Sequence, residues 1–307
     1  MKTENTLQEP SGVLIVAKHA GATSHDIVNK IRRLYGTRRV GHTGTLDPMA
    51  TGVLVVLVGR AAKASEYLAT DSKCYRATLR LGITTDTEDT TGTILTTAES
   101  IPSFAALEAV LPQFRGKIRQ IPPMYSALKV NGQKLVDLAR KGQTVERQAR
   151  EIEIFSLTAT PTNRPDEVVL EVGCSGGTYI RTLCADIGAT LGCGGAMASL
   201  ERTETGGFPL SEAHTVEELE AMDAQARMDL LIPTEVLFRS CPAVSLPAFY
   251  EKLCRSGCEI YLAKIKVDFP VRTRLRVCDA NGTFFALGEV REYEDGLAVK
   301  AIKTFSL

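Results

Sequence analysis

The carboxylate of Asp47 is the reactive group in this chain whose surroundings best suit chemistry. It lies in GHTGTLDPMATG (Gly41–Gly52), between a basic cluster of Arg32, Arg33, Arg38 and Arg39 and the aliphatic run Val53–Val58. Pro48 confines the preceding backbone to extended φ/ψ, which constrains where the Asp47 side chain points. Glycines on both sides permit close approach by a bulky ligand, and loops backed by rigid strands are where reactive groups concentrate. An aspartate so placed can take up a proton, stabilise a developing positive charge or attack as a nucleophile. Asp-Pro pairs also begin ordinary Asx turns, and spacing alone leaves both readings open.

Rival constellations are incomplete. Met49 stands where aspartyl-phosphate chemistry would want a second aspartate. Cys254 and Cys258 are spaced C-x₃-C, but no second pair and no histidine pair complete a zinc site. The run Asp86-Thr-Glu88-Asp89 before Gly92 lacks the alternating ligands and closing glutamate of a calcium loop. No Walker loop and no GxGxxG opening a helix is present.

The elements that must position Asp47 are legible on either side of it. Gly12–Ala17 reads as a strand, and Thr23 and Ser24 are good caps for a helix with Ile27, Val28, Ile31 and Leu34 on one face. The pattern predicts a strand over Val53–Val58, a short helix around Ala61–Leu68 and an alternating strand over 74–82. Ser103 caps a short helix over Phe104–Leu111, Asn131-Gly132 signals a hairpin turn, and Leu135–Arg140 is helical up to a stop at Gly142. Strands follow at 150–158 and 167–174, then an amphipathic helix over Thr178–Leu191 ended by Gly192, with Gly192–Gly195 read as a turn. The acidic stretch Glu212–Asp229 reads as solvated helix, and Pro233, Pro242 and Pro247 as a linker. Strands at 275–289, turning at Asn281-Gly282, and at 297–305 complete a small all-β tail. The expected class is α+β, a mixed and mainly antiparallel sheet with flanking helices, divided into 1–239 and 240–307.

Composition narrows the partners. The 307 residues are 44% hydrophobic and 23% charged, a globular balance. The longest aliphatic run, Val53–Val58, is far short of the ~20 residues of a bilayer span. Glu4 and Glu9 interrupt any signal-peptide pattern, and eight cysteines in a chain of this size suggest thiols and a cytoplasmic location. Net charge is zero, yet residues 1–80 carry +6 and 115–150 carry +7, against −5 over 81–114 and −11 over 151–235. Such segregation can give a neutral molecule a positive face that a polyanion would feel.

GHTGTLDPMATGVLVVLVGRAAK resembles the signature of the bacterial tRNA pseudouridine-55 synthases, the TruB family. KHAGATSHDIVNKIRR, LGITTDTEDTTG, QIPPMYSALKVNGQKLVDLARKG and GGTYIRTLCADIGATLGCG are similar to further blocks of that family, in its order and spacing. Residues 240–307 resemble its small PUA-type RNA-binding domain. The chain departs from the pattern at His19, where proline is frequent, and at Gly176 and Glu201, where basic residues are. The resemblance implies an isomerase that converts a T-loop uridine of tRNA to pseudouridine without metal or organic cofactor, as a monomer with no obligate protein partner. It assigns Asp47 as nucleophile, Arg181 as its ionic partner and Tyr75 as the ring that stacks on the target base. Tyr179 and Leu200 would line the pocket, and His42 would fill the gap left by the flipped nucleotide. A tRNA-folding assistant with dispensable catalysis and an RNA-guided synthase subunit are the alternatives. The intact Asp47–Tyr75–Arg181 set disfavours the first, and the absence of basic tails the second.

Overall fold

The computed structural model describes residues 9–68, 72–130 and 132–306. Its main sheet has the spatial order His214–Thr215, Gly12–Lys18, Thr51–Val58, Gly195–Thr205, Lys73–Leu81, Glu167–Cys174, Arg150–Pro161 and Gly116–Gln120. Neighbours are antiparallel except at His214–Thr215 beside Gly12–Lys18 and at Gly195–Thr205 beside Thr51–Val58. The expected mixed, mainly antiparallel sheet is therefore present, with helices Ser24–Leu34 and Ile180–Thr190 against it. Thr51–Val58 is buried on both faces, which explains its unbroken aliphatic sequence.

Helix Ser24–Leu34 starts where its capping residues dictate. The Thr23 hydroxyl accepts from the Asp26 amide, and the Asp26 carboxylate accepts from the Thr23 amide, a reciprocal capping box. Ile27, Val28 and Ile31 pack on Leu14, Val16, Leu54 and Val56. Predicted helix Ala61–Leu68 is a 3₁₀ helix over Gly59–Tyr67, and Asn131 of the predicted hairpin turn lies outside the described residues.

One element went unassigned and two expectations need correction. The central strand Gly195–Thr205 escaped the pattern because its register slips at Met197/Ser199 and at Arg202/Glu204, which breaks the period of two that marks a strand. Glu212–Asp229 holds the edge strand His214–Thr215 and two short helices, Val216–Ala221 and Ala224–Asp229, and Val216 and Leu219 are buried rather than solvated. The tail is not all-β: its sheet of Ala243–Ser245, Arg274–Cys278, Phe284–Tyr293, Gly296–Thr304 and Ile260–Tyr261 carries helix Ala248–Arg255. Among the described residues no helix is long and apolar enough to cross a membrane.

The prolines punctuate folded structure. Between Pro233 and Pro242 the chain forms a 3₁₀ turn, Thr234–Phe238, and drives Phe238 between Phe284 and Phe305 with ring centroids 5.9 and 5.5 Å away. These rings share one apolar cluster with Val13, Val53 and Phe208 of the main sheet. Arg276 pairs with Glu235 at 2.7 Å, and Lys303 pairs with Glu66. The second sheet is thus fastened to the first. Phe238→Ala should cost roughly 3–5 kcal/mol in urea unfolding, the range for truncating a buried ring. A loss below about 1 kcal/mol would mean that the tail merely rests on the main sheet.

Candidate active site

All six residues singled out in the sequence, His42, Asp47, Tyr75, Tyr179, Arg181 and Leu200, line one cavity of about 750 Å³. Strand pairing explains much of this. Tyr75 lies directly across from Arg202, and Ala77 from Leu200, on adjacent antiparallel strands, so Tyr75 and Leu200 share a face. Tyr179 holds extended backbone at the N-cap of helix Ile180–Thr190 and places Arg181 in the first turn. Gln120 grips that turn at both ends: its amide nitrogen donates to the Tyr179 carbonyl at 3.2 Å, and its amide oxygen accepts from the Tyr179 N–H at 3.0 Å.

The Asp47 loop is fastened from several directions. The Leu46 amide donates to Ser24 Oγ at 2.9 Å, and that hydroxyl lies 3.2 Å from the Leu46 carbonyl. Gly21 N–H donates to the Pro48 carbonyl at 2.8 Å, and Lys18 Nζ reaches the same oxygen at 3.3 Å. Ser24 therefore tethers the loop while Thr23 alone caps the helix.

Asp47 and Arg181 form a two-pronged ion pair, with Nε 3.0 Å from Oδ2 and Nη2 3.3 Å from Oδ1. The Arg181 side chain is 7% exposed and that of Asp47 34%, so the carboxylate opens to the cavity while its partner lies behind it. Arg181 also donates to the carbonyls of Tyr125 at 2.8 Å and Thr87 at 3.2 Å, and lies 3.7 Å from Asp89. Asp89 is held by Thr87 and by the amide and hydroxyl of Thr91. Burial pushes the Asp47 carboxyl above the ordinary aspartate range; Arg181 and Lys18 oppose this, and Asp89 adds to it.

His42 closes the short strand Val40–His42 and lines the cavity, and its buried Nδ1 has no hydrogen-bond partner. Burial, then the positive Arg202 and the nearby His25, push its basicity down, which favours a neutral ring. Burial pushes the Tyr75 phenol up, so it stays protonated.

The sequence reading missed Lys18, Ser24, Gln120, Asp89 and Arg202. A signal existed for two of them. Lys18 ends an otherwise apolar strand, and Asp89 sits in the acidic run of LGITTDTEDTTG.

Burial lowers the Lys18 amine to about 8, despite the nearby Asp47 charge. Between that value and the ~10.4 of a free lysine, the unfolded chain holds a proton that the folded chain has released, so this residue makes stability rise with pH. Below about pH 8 both states are protonated and the slope vanishes. The stability of wild type relative to Lys18→Met should therefore rise between about pH 8 and pH 10, on the order of 1 kcal/mol in urea unfolding. A constant or falling difference would contradict the buried, neutralising amine.

Comparison with known proteins gives these residues a family. The model of the TruB family pseudouridylate synthase N-terminal domain matches residues 32–180, and that of the tRNA pseudouridylate synthase B C-terminal domain matches 181–239. A tRNA pseudouridine synthase B of Francisella tularensis subsp. tularensis (strain WY96-3418) is 46% identical over 238 residues, 77% of this chain and 78% of that one. One from Thiobacillus denitrificans is 42% identical over 282 residues, 92% of this chain and 93% of its own. Among solved structures, an H/ACA RNP bound to a substrate RNA containing 2'-deoxyuridine has a chain with TM-score 0.71 and 21% identity, covering 96% of this chain and 85% of that one. The archaeal box H/ACA sRNP Nop10-Cbf5 complex gives TM-score 0.70 and 22% identity, covering 97% and 87%. At that identity the structural likeness concerns the fold alone. With two relatives above 40% identity across most of both chains, this chain belongs to the TruB family of pseudouridylate synthases.

Proposed function

We propose that this protein isomerises the T-loop uridine of tRNA, position 55, to pseudouridine, with Asp47 as the nucleophile. The observation that carries the reading is the Asp47–Arg181 ion pair at 3.0 Å, exposed on its carboxylate side to a cavity walled by Tyr75, Tyr179 and Leu200. The relatives named tRNA pseudouridine synthase B support the choice of tRNA. The reaction breaks the bond between N1 of the base and C1′ of the ribose, rotates the base and rejoins it through C5; the C5 hydrogen leaves as a proton and N1 takes one up. Breaking that bond builds positive charge at C1′, and an adjacent carboxylate can trap it or stabilise it. Asp47 supplies the charge, and Arg181 keeps it ionised and aimed.

The target base must leave its stack to reach Asp47, at a cost of a few kcal/mol. Tyr75 offers a face for the extruded uracil, a contact of about 1–3 kcal/mol, while Tyr179 and Leu200 exclude water around it. His42, neutral and lining the cavity, takes the place the base leaves. Residues 240–307 act as a second RNA-binding unit fixed to the catalytic body of residues 1–239. The protein works in the cytoplasm as a monomer and needs no cofactor, since the reaction changes neither oxidation state nor molecular formula.

Asp47→Asn preserves size and loop geometry and removes the charge. Release of tritium from C5-tritiated uridine in a T-arm RNA should fall at least about a hundredfold, the scale for losing a group that meets transition-state charge. Affinity for the RNA, measured by filter binding, should stay near wild type. Release within tenfold of wild type would remove Asp47 from the nucleophile's role.

A further inference from the structure

Among the described residues, the largest fully buried side chain is charged. Arg202 is 1% exposed, and no acidic side chain forms a salt bridge with it among the described residues. A buried guanidinium with no carboxylate beside it is costly, so its partners matter. Nε donates to the Val53 carbonyl at 2.7 Å, Nη2 to the Gly44 carbonyl at 3.1 Å, and Nη1 lies 3.5 Å from the Thr45 carbonyl. Val53 belongs to the sheet; Gly44 and Thr45 belong to the loop that runs from His42 to Asp47. Tyr75, directly across on the next strand, adds its hydroxyl as a further partner. One rigid plane therefore ties the sheet, two successive loop carbonyls and the Tyr75 ring together, a task suited to the five donors of arginine and beyond the single point of a lysine.

The backbone is shaped to admit this contact. Gly52 runs beside Arg202 with φ +104°, and a Cβ there would come within 2.2 Å of the Arg202 carbonyl oxygen. Only glycine allows Thr51–Val58 to approach Gly195–Thr205 so closely.

We propose that Arg202 is the positioning residue that holds the His42–Asp47 loop at the height above the sheet where Asp47 meets Arg181 and faces Tyr75. This rests on Asp47 as the nucleophile. Arg202 touches no reacting atom in this role; it acts through the carbonyls of Gly44 and Thr45.

Arg202→Lys keeps the charge and loses the fork, and Arg202→Met keeps the bulk and loses both. Three readouts test the role: single-turnover tritium release, Kd for the T-arm RNA, and amide hydrogen exchange. Both variants should lose at least about tenfold in rate while Kd stays within about threefold, since remote positioning acts on the reacting geometry. The amides of Thr43 and Leu46, which bond Val55 and Ser24, should lose protection, while those of Phe284–Tyr293 keep theirs. A Lys variant with wild-type rate and protection overturns the proposal. So does a rate loss matched by an equal loss of affinity, or a loss of protection across the whole molecule, which would make Arg202 a core filler. Exchange is read without turnover, so an error in the Asp47 assignment leaves that arm standing and shows instead as an Asp47→Asn variant that still releases tritium.

Discussion

A carboxylate partly buried in the wall of a cavity needs a cation behind it, and that cation must itself be held. An uncompensated charge in such a place would tend to take up a proton. Arg181 meets the requirement at 3.0 Å from Asp47. It in turn is buried, and stays so only because Thr87, Tyr125 and Asp89 accept its remaining donors. The fold can be seen as successive shells around this one pair. Helix Ile180–Thr190 carries the cation, the loop after Val40–His42 carries the anion, and Gln120, Ser24 and Lys18 fix where those two segments stand.

The sheet makes such precision possible. Four strands, Thr51–Val58, Gly195–Thr205, Lys73–Leu81 and Glu167–Cys174, form its rigid middle. Tyr75 and Leu200 project from that middle onto one face, and the Asp47 loop runs into the start of Thr51–Val58. The aromatic contacts of Phe238, Phe284 and Phe305 then tie the second sheet to the back of the first. A surface on the tail is thereby fixed in distance from the cavity, which suits a substrate as extended as a folded RNA.

Much of this was legible in the residue pattern, because local rules suffice for it. The capped helix beginning at Ser24, the aliphatic strand Val53–Val58 and the proline-restricted Asp47 each carry their own signal. The gathering of His42, Asp47, Tyr75, Tyr179, Arg181 and Leu200 came from resemblance; periodicity would have left Tyr179 and Leu200 as plain core. What stayed hidden depends on distant partners. Arg202 reads as one charge in the run Glu201–Glu204, and only the strand pairing of Gly195–Thr205 places it beneath the loop. Asp89 gains meaning only when its loop folds onto Arg181. The bulges that conceal Gly195–Thr205 from the eye also aim its side chains.

The central claim is that Arg181 sets the charge of Asp47. Carbon-13 NMR of the Asp47 carboxyl, titrated in wild type and in Arg181→Met, tests it directly. Wild type should titrate above the ordinary aspartate value of about 4, and removing Arg181 should raise the midpoint further. A midpoint that stays where it was when Arg181 is lost would contradict the account.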